Sequence, residues 1–105
     1  MGILTGDAQY QEDRISSEAT IIVVPRERFG VAVRVLEAIV QFTDASVPIV
    51  YVDAGSPKKV ADQLRQICEK RGDKYLRYDE FLTPNQARNL GLSHVDSELI
   101  VFIDN

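Results

Sequence analysis

Pro48-Ile-Val-Tyr-Val-Asp53-Ala-Gly-Ser56-Pro57 is the stretch that decides the fold class. Ile49, Val50, Tyr51 and Val52 follow one another with no polar residue between them, which suits a strand covered on both faces. The strand ends in an acid, and Ala54-Gly55 makes a turn. Ser56 is expected to cap a helix whose first position is Pro57. Downstream, Val60, Leu64, Ile67 and Cys68 recur at helical spacing, and Gly72 is placed to end that helix. Upstream the same arrangement occurs once more. Thr20-Ile-Ile-Val-Val24 is a β-branched run closed by Pro25, and Val31, Val35, Leu36, Ile39, Val40 and Phe42 then mark an amphipathic helix.

Further out, Lys74-Tyr-Leu-Arg-Tyr78 reads as a shorter, more polar strand at a sheet edge. After a loop at 79–82, Thr83-Pro84-Asn85-Gln86 opens a third helix with the signature of a capping box, and the helix is expected to reach about Val95. Glu98-Leu-Ile-Val-Phe-Ile103 reads as a fourth buried strand, followed by Asp104-Asn105. The order β-α-β-α-β-α-β implies an α/β fold. It is a Rossmann-like three-layer sandwich with a mainly parallel sheet, right-handed crossovers and helices on both faces. Residues 1–18 are polar and read as a flexible tail; residues 19–105 form the folded unit.

Bulk properties narrow the function. A chain of 105 residues suits one domain, and 45% apolar with 27% charged residues is ordinary globular composition. A net charge of −4 and a pI near 4.9 disfavour a general nucleic-acid binder, which would carry a basic stripe. Cys68 is the only cysteine, so no disulfide forms within the chain and a cysteine zinc site is not expected. This suits a cytoplasmic setting. No apolar run reaches the roughly 20 residues of a membrane span, and no secretory signal is visible. There is no Walker-type glycine loop and no GxGxxG, which weighs against P-loop and dinucleotide-binding proteins.

In open α/β sheets, ligands bind beyond the carboxyl ends of the strands. Asp53 and Asp104 both stand there. Asp53 either accepts an N–H from a nucleotide base or orders its own turn through an Asx-type bond. Gly55 lets backbone approach a ligand closely. Asp104 offers a hard oxygen of the kind Mg²⁺ or Mn²⁺ prefers; the alternative is a solvated strand-end acid. Arg88 suits bidentate phosphate binding, or else lays its stem along the helix surface. Gly91, costly inside a helix, marks close packing of that helix on the sheet. Cys68 is expected in the core, His94 near a helix end without a catalytic part, and Lys58-Lys59 and Lys70-Arg71 on solvated helix faces.

Four motifs together resemble the opening of the family 2 glycosyltransferases: Ile22-Val-Val-Pro25, Val50-Tyr-Val-Asp53-Ala-Gly-Ser56, Asn85-Gln-Ala-Arg-Asn-Leu-Gly91 and Ile100-Val-Phe-Ile-Asp104-Asn105. The resemblance runs from about Thr20 to Asn105. It implies a GT-A fold, truncated here, and a nucleotide-diphosphate sugar as donor to an acceptor hydroxyl. It implies that Asp53 reads the base, that Arg88 and Asn89 lie near the nucleotide, and that Asp104 binds the divalent metal, Mg²⁺ or Mn²⁺. Pro25, Arg26 and Gly55 complete the nucleotide-binding set. The family places its general base and acceptor pocket beyond Asn105, so this stretch is expected to be inactive alone.

Two departures stand out. Family members usually follow the first proline with Thr and a Tyr-Asn pair, whereas this chain has Arg26-Glu27-Arg28, whose arginines are candidate phosphate contacts. The acid that often follows the equivalent of Asp53 is Ala54. Two alternatives compete: a non-catalytic nucleotide-binding or partner-docking module, and a flavodoxin- or receiver-like signalling domain, which Pro25-Arg26 and Tyr78-Asp79 fit poorly. If nothing follows it, the fourth strand is expected to present an open hydrophobic edge at 99–103, leading to dimerisation, strand addition or poor solubility.

Overall fold

The computed structural model describes residues 18–24 and 29–104. Four strands are β1 (Ala19–Val24), β2 (Ile49–Ala54), β3 (Lys74–Tyr78) and β4 (Leu99–Asp104). Three helices join them: α1 (Phe29–Phe42), α2 (Lys58–Arg71) and α3 (Pro84–Leu92). The sheet is parallel throughout, in the order β3-β2-β1-β4. This is the expected α/β, Rossmann-like arrangement, consistent with a GT-A fold.

The sheet separates two apolar clusters. On one face Val23, Ile49 and Tyr51 meet Ala32 and Leu36 of α1 and Leu64 and Cys68 of α2. On the other face Ile22, Val24, Val50 and Val52 meet Ala87 of α3 and Val95. The chain steps outward from β1 to β3 with its helices on one face. It then crosses the opposite face to place β4 beside β1. Crossovers of a single hand require that change of face when the direction reverses. The reversal puts the topological switch point between the carboxyl ends of β1 and β4, where such sheets bind ligands.

Local chemistry accounts for the element ends. Gly72 takes φ +85° after α2, and its N–H reaches the carbonyls of Cys68 and Glu69. Thr83 and Gln86 form the reciprocal capping box of α3, with Pro84 in its first turn. Gly91 sits where a Cβ would meet Ile22 Cγ2 at 2.6 Å, so only a residue without a side chain lets α3 lie this close to β1.

The structure corrects four expectations. Ser56 does not cap α2: the capping position is Pro57, which has no side-chain bond, because the Ser56 hydroxyl is committed to Asp53 instead. Helix α3 ends at Leu92, and Val95 turns inward to the core. Strand β4 is not buried. Leu99, Val101 and Phe102 are 58%, 42% and 39% exposed. The helices of the first face cover β1 to β3 and stop short of Leu99 and Val101, while Phe102, in register with Ile22, lies on the opposite face, where Arg88 of α3 covers it only in part. Arg71 is not a solvated residue. Its guanidinium donates to both oxygens of Asp73 at 2.8 Å and to the carbonyls of Asp44 and Val47 at 2.6 and 3.0 Å. Asp73 in turn accepts from the Ile49 N–H at 3.0 Å, so this clamp ties the end of α2 to the start of β2.

Candidate functional site

Two polar groupings lie at the carboxyl edge of the sheet. The first surrounds Asp53, the fifth residue of β2, which is 1% exposed. Its Oδ1 accepts the Ser56 N–H at 3.3 Å. Its Oδ2 accepts from the Ser56 and Tyr75 hydroxyls and from Arg77 Nη1 at 3.1 Å. Tyr75 and Arg77 reach it because β2 and β3 pair Tyr51 with Tyr75 and Asp53 with Arg77, placing all four on one face. The Tyr51 and Tyr75 rings stack with centroids 6.3 Å apart. Burial, reinforced by the bond to Asp53, pushes the Tyr75 hydroxyl well above its ordinary value. Burial works to lower Arg77, but the Asp53 charge outweighs it and Arg77 is raised. The turn-ordering bond to Ser56 is therefore present, within a larger network that also fixes β3. Gly55 follows at φ +81° with its N–H on the Tyr78 carbonyl at 2.8 Å, so the turn itself requires glycine.

The second grouping is at the switch point. Asp104, the last residue of β4, pairs in register with Val24, the last residue of β1. Arg88, one turn into α3, directs Nη2 to Asp104 Oδ1 at 3.4 Å and Nη1 to Asn85 Oδ1 at 3.3 Å. Its guanidinium carbon lies 5.8 Å from the centre of the Phe102 ring. Phe102 and Asp104 are two residues apart and share a face of β4, so Arg88 spans both. The side chains of Arg88 and Asp104 are 34% and 39% exposed, which leaves both within reach of a ligand. Asn89 is on the same helix and exposed.

The chain belongs to the family described as Glycosyltransferase like family 2. That family description matches residues 20–105. No curated protein and no solved structure matches the chain. The members are glycosyltransferases, which take a sugar donor and an acceptor. Within this glycosyltransferase-like chain, the structure brings Arg88 and Asp104 together and holds Asp53 apart from them on the other face of the sheet. Pro25 and Arg26 lie outside the described residues, as does Asn105. No helix among the described residues is long and apolar enough to cross a membrane.

Among the described residues no three acids, histidines or cysteines come together as a metal cage. Asp104 supplies one hard oxygen at an exposed strand end. That fits an ion completed by phosphate oxygens and water, the usual condition of Mg²⁺. Sequence reasoning missed Tyr75 and Arg77. The signal was available in principle: two polar residues spaced by two on an edge strand, beside an acid that ends a buried one. A cavity of about 590 Å³ lined by Glu18, Ala19, Ser46, Val47, Glu98 and Leu99 lies at the amino edge of β1 and β4, away from both groupings.

Proposed function

We propose that this chain binds the nucleotide-diphosphate-sugar donor of a glycosyltransferase, with the diphosphate at the switch point between β1 and β4. The observation that carries the reading is the Arg88–Asp104 pair, a cation and a carboxylate 3.4 Å apart and both accessible. Arg88 offers a planar fork for a phosphate. Asp104 would hold a divalent ion, Mg²⁺ or Mn²⁺, which when bound offsets the charge of a departing diphosphate. Asn89, exposed on the same helix, is proposed to serve the same ligand. Gly55, in the turn after β2, would flank it, and Pro25 and Arg26 are proposed to complete the nucleotide-binding set.

Asp53 is proposed to read the base. Strands stand about 4.8 Å apart, so the β2 end is roughly 10 Å from the β4 end, a span a nucleoside diphosphate can bridge. Asp53 is covered by Ser56, Tyr75 and Arg77. Base contact therefore requires Arg77, whose side chain is 31% exposed, to turn outward. The test is to titrate uridine, guanosine and thymidine diphosphates with and without Mn²⁺. The reading expects binding that depends on the metal; binding of equal strength without it favours a docking module instead.

Among the described residues β4 is an edge strand with Leu99, Val101 and Phe102 exposed, which supports pairing between two copies of the chain through 99–103. Sedimentation across a concentration series reads this out. A dimer is expected that a charged residue at Val101 abolishes, and a monomer at every concentration contradicts it.

A further inference from the structure

The Arg88–Asp104 contact also bears on when the site accepts a metal. The bond is single-pronged and long, at 3.4 Å, and both side chains are about one-third exposed. Pairs of this kind open readily. Arg88 is also held by Asn85 Oδ1 and lies over Phe102, so its charge stays beside Asp104 even when the direct bond loosens. A bare divalent cation approaching Asp104 must displace this guanidinium and then sit next to a like charge. A cation arriving with a diphosphate does not meet the same cost, because the phosphate gives Arg88 a bidentate partner of its own.

We infer that Arg88 is a competing counter-ion for Asp104, one that disfavours divalent cations alone and yields the carboxylate to a cation accompanied by a diphosphate. The inference rests on the proposed role of Asp104 as the metal-binding acid. It adds that Arg88 acts against metal binding in one state and for ligand binding in the other. By linkage, part of the coupling between metal and diphosphate passes through this side chain and works equally in both directions.

The experiment measures Mn²⁺ alone, by electron paramagnetic resonance of the free ion, on the full chain and on Arg88→Gln, Arg88→Met, Arg88→Lys and Asp104→Asn. Circular dichroism confirms that each variant is folded. The two neutral variants are expected to bind Mn²⁺ up to roughly fivefold more tightly than the parent, the most an exposed pair of this kind is worth. Arg88→Lys is expected to stay near the parent, and added salt to narrow the difference. The same neutral variants bind manganese-loaded uridine diphosphate more weakly. Neutral variants with unchanged or weaker Mn²⁺ affinity would overturn the inference. Failure of the underlying reading looks different: Asp104→Asn would then leave Mn²⁺ binding and metal-dependent nucleotide binding as they were.

Discussion

At the scale of single residues, a few side chains do work that their type alone does not announce. Gly91 is the sharpest case. Alanine gains about 1 kcal/mol in an exposed helix interior, yet here its Cβ meets a fully buried Ile22 at 2.6 Å. Overpacking of this kind costs about 1–3 kcal/mol, so Gly91→Ala is expected to lower stability in urea denaturation; a gain would contradict the close approach of α3. Arg71→Ala leaves Asp73, 4% exposed, without its cation. A loss of about 3 kcal/mol is expected, while Lys58→Ala on the exposed face of α2 should be silent in the same assay. Burial pushes the Cys68 thiol up to about 12, so its alkylation at pH 8 should track global unfolding. Tyr75 carries a pH signature. Its folded value is raised above the ordinary 10.0, so its contribution is fully present below that pH and is lost as pH rises through the folded value. Tyr75→Phe should flatten the alkaline limb of the stability curve above pH 10, and an unchanged limb would count against the burial of that hydroxyl together with its Asp53 bond.

At the scale of elements, the order of strands and helices was legible because the apolar runs are long and their punctuation strong. Continuous runs at 20–24 and 49–52, the capping box of Thr83 and Gln86, and the glycine at 72 each have a local cause that the structure retains. The misreadings have a common origin, since each turned on a tertiary partner. Ser56 looks like a cap until Asp53 claims its hydroxyl. The pair Lys70-Arg71 looks like a solvated face until Asp44, Val47 and Asp73 converge on Arg71. Strand β4 looks buried because its residues are apolar, but composition does not reveal that α1 and α2 stop short of it. Of the candidate site, Asp53, Arg88 and Asp104 were named from sequence. Tyr75 and Arg77 were not, because cross-strand register is a property of the sheet rather than of either strand.

At the scale of the whole molecule, one feature organises the rest: the reversal of strand order between β1 and β4. It brings the end of β4 against the end of β1 and swings α3 across the opposite face. Arg88 thereby comes to lie beside an acid 16 residues further along the chain. The role proposed for this junction is to bind a diphosphate through a divalent ion on Asp104. Calorimetric titration of uridine, guanosine and thymidine diphosphates in the presence of Mn²⁺, on the chain and on Asp104→Asn, tests it most directly. At least one diphosphate is expected to bind only with the metal. Asp104→Asn is expected to weaken that binding by no less than the roughly tenfold loss seen when an outer-shell partner of a metal is removed. Binding that ignores Mn²⁺, or that survives Asp104→Asn undiminished, would contradict it.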